Sequence, residues 1–253
     1  MENRWQEHGR YFLKSRWPEL ANVETGRKQR APLPEMQKPA QPESIISLPT
    51  VEELTDSFGK DMSLTGAMLR RESTRSFSSD PLTIGELAYL LWAAQGVRNK
   101  KPRVTFRTVP SGGARHPFET YLFIQNVKEL ETGLYRYLPL DHSLAFIRSE
   151  EADGIAGQLD EALLQHNFGA AATFVWTAIP ERSEYAYAME AARLILLDAG
   201  HVCQNLYLAC TAVGCGTCAV GAYDQEKIDA LLGVDGVDEF TVYVAPVGKI
   251  TRK

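Results

Sequence analysis

Residues 196–217 read LLDAGHVCQNLYLACTAVGCGT, and the spacing of the apolar residues in and just before this stretch decides the fold. Ala191, Leu194, Ile195, Ala199, Val202, Leu206 and Ala209 recur at three- and four-residue steps, the signature of one buried helix face. Leu196, Leu197, Tyr207 and Leu208 make other faces apolar too, so the helix is expected to be buried nearly all round. Running from Ser183 to Val213 it would hold roughly 30 residues and measure about 45 Å. Such a helix is a central or subunit-spanning element, and Gly214 and Gly216 supply a turn at its end.

Working outward, the segments 120–125, 134–138, 144–148, 173–179 and 240–247 are rich in β-branched and aromatic residues with turn signals between them, which predicts strands. Thr83 followed by Glu86 is a capping box ahead of Leu87, Leu90, Leu91 and Ala94, so a helix should run up to Gly96. Two further helices are expected at about 152–165 and 225–232, the second capped by Asp224 and closed by Gly233. Leu64, Met68 and Leu69 predict a short helix that stops near Arg70 and Arg71.

Composition limits the candidates. The 253 residues are 44% hydrophobic and 23% charged, enough for one large domain with an appended arm. Residues 1–50 contain Pro32, Pro34, Pro39, Pro42 and Pro49, which predicts an extended arm ordered against another surface, leaving 51–253 as the folded domain. The formal charge of −5 argues against a nucleic-acid partner, although Arg98, Lys100, Lys101 and Arg103 form a local basic cluster. No apolar run is long enough to span a bilayer. Four cysteines crowded between Cys203 and Cys218 look like the reduced thiols of a cytoplasmic protein rather than a disulfide framework.

Three stretches and a tail could carry chemistry. In RESTRSF, 71–77, a spacing of two puts Arg71, Ser73 and Arg75 on one side of an extended chain, a row suited to phosphate oxygens. The same residues would also serve as a solvated face at a helix C-terminus. In TVPSGGARHPFE, 108–119, Gly112 and Gly113 lack the Cβ that would hold a flat ligand off the main chain; an ordinary glycine-rich loop is the plain alternative. GCGTCAVG, 214–221, does not match a dinucleotide fingerprint. Its Cys215 and Cys218, with Cys203, Cys210 and His201, raise a zinc or redox-dithiol site, against which stands a set of buried thiols packing as small hydrophobes. The tail APVGK ends in Lys249, a cation that could join the two arginines.

The order of these motifs resembles the nitroreductase superfamily, and within it the SagB-type dehydrogenase branch. The resemblance runs from about Leu69 to Lys249. It implies an α+β fold, a three-layer α/β/α sandwich with a mixed, mainly antiparallel sheet flanked by helices and a long central helix, assembled as a homodimer with FMN between subunits. It matches Arg71, Ser73, Arg75 and, after Gly248, Lys249 to phosphate and ribityl contacts. Pro110, Ser111, Gly112 and Gly113 match the turn that reaches the flavin from the partner, with Arg115 close behind. Gly214, Cys215, Gly216 and Thr217 match the loop whose amides face the ring, and Gln165 matches a contact to its pyrimidine edge. There is one departure. Azoline dehydrogenases of this branch carry a Lys-Tyr pair before the long helix, where this sequence has Ala186 and Tyr187, and alanine cannot act as a general base. The resemblance implies hydride transfer from NAD(P)H through the flavin to a nitroaromatic-like or quinone-like acceptor, with Tyr187 beside the substrate and no metal. A dehydrogenase acting on a peptide azoline and a flavin-binding protein without turnover are the alternatives.

Overall fold

The structure, a computed structural model, describes residues 2–149 and 154–250. In chain order the elements are α1 (Glu2–Leu13), α2 (Trp17–Leu20), α3 (Gly26–Gln29), β1 (Ile45–Ser47), α4 (Val51–Ser57), α5 (Leu64–Arg70), α6 (Ile84–Gln95), β2 (Val97–Lys101), β3 (Val104–Arg107), β4 (Phe118–Ile124), β5 (Gly133–Leu138), β6 (Ser143–Ser149), α7 (Ile155–Ala162), β7 (Ala172–Ala178), α8 (Glu181–Tyr187), α9 (Ala191–Ala212), β8 (Cys215–Thr217), α10 (Gln225–Leu232) and β9 (Phe240–Lys249). The start expected for α7 at Ala152 lies outside the described residues.

Seven strands form one sheet in the order β1-β6-β5-β4-β7-β9-β8, and every ladder in it is antiparallel. Parallel pairing enters only as bridges, Ser73 to Thr217 and Leu82 to Val127, among the described residues. The sheet separates two apolar layers because successive side chains alternate across it. Phe118, Leu122 and Ile124 of β4 and Phe174 and Trp176 of β7 face the larger cluster with α6 and α9. Tyr121, Phe123 and Val175 face the other way, onto α7 and α10. The result is the α+β three-layer sandwich expected from the sequence.

Local signals act where the sequence placed them. Thr83 and Glu86 make both hydrogen bonds of the capping box on α6, and Asp224 caps α10, which ends at Gly233 in the left-handed region with φ 72°. The basic cluster of Arg98, Lys100, Lys101 and Arg103 falls on a ribbon of its own, β2 paired with β3, which the sequence pattern does not predict.

Two expectations change. The long helix is not continuous from Ser183: α8 ends at Tyr187, Ala188 takes φ 41° and ψ −122°, and a short 3-10 turn leads into α9, which has 22 residues, about 33 Å. The break is held from outside. Trp17 packs edge-on against Tyr187 with ring centroids 5.5 Å apart, and the Arg16 amide donates to Glu190 at 2.8 Å, contacts tied to the bent path. Nor is α9 buried all round, since Leu196 and Leu197 are 60% and 49% exposed.

The arm is also only partly extended. Its prolines cluster beyond residue 31 and leave α1 to α3 free to form, while Pro18 sits in the first turn of α2, where no amide is missed. Residues 31–41 do run extended, and side chains of the domain satisfy their main chain. Lys38 N donates to Glu119 at 3.1 Å, Arg136 donates to the Pro39 carbonyl at 2.6 Å, and Arg107 donates to that of Met36 at 3.3 Å. Then β1 adds to the sheet edge along β6.

Glu119 sits beneath this arm, buried and facing Arg136 and Arg182, whose side chains are 7% and 4% exposed. Replacing it by glutamine strands buried positive charge. Glu119→Gln should lower stability by about 3 kcal/mol, read as a shifted midpoint in urea unfolding; a midpoint equal to wild type would show the cluster to be solvated.

Candidate functional site

Helix α9 carries the motifs at two separate places, RESTRSF, GCGT and APVGK at its C-terminal end and the PSGG turn nearer its start. The RESTRSF strand leaves α5 at Arg71 and runs beside β8: Thr74 N donates to the Thr217 carbonyl at 2.9 Å. Ser78 N donates to the Lys249 carbonyl at 2.8 Å, and β8 pairs with the end of β9, Cys215 to Lys249 and Gly216 to Gly248. The glycines allow this packing. A Cβ on Gly216 would lie 2.6 Å from Thr74 Oγ1, and one on Gly248 would lie 2.6 Å from Phe77 Cγ. Motifs some 140 residues apart in sequence thus form one ledge at the sheet edge.

Tyr207 of α9 organises that ledge. Its hydroxyl lies 3.0 Å from Ser73 Oγ and accepts from Ala219 N at 2.7 Å, while the Arg71 guanidinium stands 5.4 Å from its ring centre. Neither Arg71 nor the exposed Arg75 enters an ion pair among the described residues. Two free guanidiniums and a hydroxyl are a donor set that fits a phosphate ester. Glu72 and Thr74 of the same segment line an adjoining cleft of about 510 Å³ walled by Tyr207, Gly214, Cys215, Gly216 and Thr217, which Arg71, Ser73 and Arg75 do not line. Lys249 differs from the arginines: its amine is held by the Glu86 carboxylate.

The PSGG turn lies near the opposite end of α9. Ser111 Oγ donates to Asp198 Oδ2 at 2.6 Å, and Gly112 N reaches both carboxylate oxygens at 3.2 Å. Ser111 Oγ in turn accepts from His116 N at 2.9 Å. Gly113 has φ 57°, and a Cβ there would be 2.1 Å from the Tyr187 hydroxyl, so this position requires glycine. Pro110 is exposed beside it, and the Arg115 guanidinium stands 5.8 Å from the Tyr185 ring centre. Gln165, exposed after α7 with φ 65°, has no side-chain hydrogen bond to the other candidates among the described residues.

Asp198 and Tyr207 were not singled out from sequence. Asp198 is the one acid in the 22 residues of α9, which is itself a signal, because a carboxylate in an apolar helix needs a partner. Burial raises its pKa, opposed by the Ser111 and Gly112 donors. Burial pushes the Cys203 and Cys215 thiols up to about 12, and all four cysteines are free and buried. Among the described residues no cluster of His, Cys, Asp or Glu could hold a metal.

Residues 68–249 match the model of the nitroreductase family. The chain belongs to that family. This nitroreductase-family chain is 35% identical over 206 residues to MJ1384 of Methanocaldococcus jannaschii, which carries a provisional nitroreductase name, covering 81% of this chain and 96% of the relative. A solved nitroreductase-type structure from Ralstonia eutropha superposes with a TM-score of 0.67 at 26% identity, covering 88% of this chain and 98% of that one. TfxB of Rhizobium leguminosarum bv. trifolii, a trifolitoxin-processing protein, is 30% identical over 135 residues, covering 51% of this chain but 36% of its own length. The likeness to TfxB supports a SagB-like branch within the family, and family membership makes the chain an oxidoreductase.

His116 behind the PSGG turn is structural. Buried, with its Nε2–H donating to the Thr105 carbonyl at 3.1 Å, it has its pKa lowered to about 3 by burial and then by Arg107. The unfolded chain therefore takes up a proton near the ordinary value of 6.5 that the folded chain refuses. Stability should fall as pH drops below that value, by up to about 1.4 kcal/mol per pH unit from this residue. His116→Asn, which tolerates the left-handed backbone here, should flatten that slope in urea unfolding; equal slopes would contradict the assignment.

Proposed function

We propose that this oxidoreductase binds FMN between two copies of the chain and passes a hydride from NADH or NADPH to a small organic acceptor of nitroaromatic or quinone type. The observation that carries the reading is the separation of its two site halves along α9. Asp198, which holds the PSGG turn, and Gly214, which opens the β8 ledge, lie 16 residues apart in sequence, about 24 Å at 1.5 Å per residue. A ring on the ledge of one chain is out of reach of that chain's own turn and is met by a second copy. Exposed Leu196 and Leu197 lie on α9, and Leu64, Met68 and Leu69 are exposed on the neighbouring α5, an apolar surface suited to a subunit interface.

FMN, when bound, supplies the hydride-relaying ring. The chain's part is binding and shielding. Arg71, Ser73 and Arg75 would hold the phosphate, and the main chain of Gly214, Cys215, Gly216 and Thr217 would line the ring. Pro110, Ser111, Gly112 and Gly113 would cover it from the partner, kept in place by Asp198. Gly248 lets the ledge close, and Lys249, kept beside it by Glu86, adds a cation near the ledge rather than a free phosphate ligand. Gln165 would complete the pyrimidine edge, Arg115 would stand behind the turn, and Tyr187, against Gly113, would shape the space over the substrate. The four free, buried thiols support a cytoplasmic enzyme, and no described helix is long and apolar enough to cross a membrane.

Likeness to TfxB favours a second reading, oxidation of an azoline in a peptide. Ala186 stands against it, since the branch's lysine base is absent there. Anaerobic NADH or NADPH should bleach the flavin and a quinone should restore its colour; colour that NADH and NADPH leave intact would mark a flavin-binding protein without turnover. Arg71→Ala with Arg75→Ala should weaken FMN binding by about 100-fold or more, each charge-assisted contact being worth roughly 1.5–3 kcal/mol, measured by fluorescence titration. Unchanged retention would overturn the phosphate assignment.

A further inference from the structure

A second cavity opens on the far side of the PSGG turn, of about 600 Å³ and lined by Arg27, Arg30, Arg103 and Arg115 together with Gly113 and Tyr185. Its arginines come from three separate parts of the chain. Arg27 and Arg30 are supplied by the arm, Arg103 by the tip of the β2–β3 ribbon, and Arg115 by the segment after the turn. Among the described residues none of the four enters an ion pair, although like charges gathered in one concavity repel.

The walls are built rather than incidental. Tyr185 donates to the Ala31 carbonyl at 3.1 Å and packs on Gly26, where a Cβ would lie 2.8 Å from its ring, so the arm is seated on α8. The same ring also meets Arg115. An adjoining cavity of about 230 Å³ shares Leu33, Arg103, Val104 and Arg115 and adds Arg107. Arg107 is 2% exposed and its Nε–H has no partner among the described residues, a buried donor that a ligand or water would satisfy. Glu35 at the rim of that smaller cavity is the one carboxylate among the residues lining the two.

We propose that this arginine-walled cavity binds a multiply charged phosphate-type anion carried by one of the enzyme's substrates. Arginine forks pair bidentately with phosphate oxygens, and a dianion relieves the repulsion among the four guanidiniums. Gly113 and Ala186 lie in the same lining, so the anion is anchored beside the turn and beside Tyr187. Ala186, with its short side chain, leaves that space open to a substrate tail. The anion site stands on these residues alone; only its link to turnover rests on the proposed flavin chemistry.

Calorimetric titration of the FMN-saturated protein with inorganic pyrophosphate tests the site. Binding should weaken with added salt and fall about tenfold or more in Arg30→Gln with Arg103→Gln, as expected for two lost charge-assisted contacts. It should persist in the Arg71→Ala, Arg75→Ala protein, which separates this cavity from the flavin-phosphate site and reads it even if FMN does not bind. No binding to wild type, or equal affinity in the Arg30, Arg103 variant with its thermal midpoint unchanged, overturns the proposal. With pyrophosphate binding lost, a KM raised for NADPH alone assigns the anion to that cofactor's extra phosphate. A KM raised for NADPH and NADH alike assigns it to their shared pyrophosphate, and unchanged values for both assign it to the acceptor; each of these supports the site.

Discussion

Helix α9 imposes one constraint on which the whole site depends. It is anchored along its buried face by Ile195, Ala199, Val202, Leu206 and Cys210 against the sheet, so whatever hangs on its two ends is fixed in distance and direction. Asp198 near one end takes the PSGG turn, and Gly214, with φ 73°, reverses the chain at the other end into β8. A burying interaction of this kind sets geometry more firmly than any loop contact, because a core packed at crystal-like density does not slide. The β8 ledge and the PSGG turn are therefore held apart in one chain.

Much of this was legible in the sequence because its signals are local. The capping box at Thr83, the Asp224 cap and the alternating strands act within a few residues, and the structure has each of them. The motifs were legible as a series, and the convergence of RESTRSF, GCGT and APVGK on the β8 edge gives that part of the series its physical sense. What stayed hidden depends on distant contacts. The break at Ala188 is set by Trp17 and Arg16, some 170 residues earlier, and no propensity within residues 183–213 announces it. The exposure of Leu196 and Leu197 was misread for a related reason: apolar residues on every face of a helix signal contact with something, but not whether that partner lies in the same chain.

The arm illustrates the same limit from the other side. Its prolines correctly forecast the extended path of residues 31–41, yet the arm is a structural wall as well as a tether. Arg136 and Arg107 donate to its carbonyls, Glu119 accepts from its Lys38 amide and balances two of the buried cations beneath it, and α3 closes onto Tyr185. That closure puts Arg27 and Arg30 beside Arg103 and Arg115, a cluster that spacing along the chain could not reveal. The basic residues of the ribbon, a loose patch in the sequence, acquire through this arrangement a concave, anion-sized setting.

The most direct measurement is sedimentation velocity with flavin absorbance followed at the same boundary, on the wild type and on Leu196→Asp with Leu197→Asp. If the cradle is completed by a second copy, wild type sediments as a yellow dimer, and the variant becomes a folded monomer that has shed its flavin. A monomeric variant that keeps the full flavin complement would contradict the account, because one chain would then suffice to hold the ring.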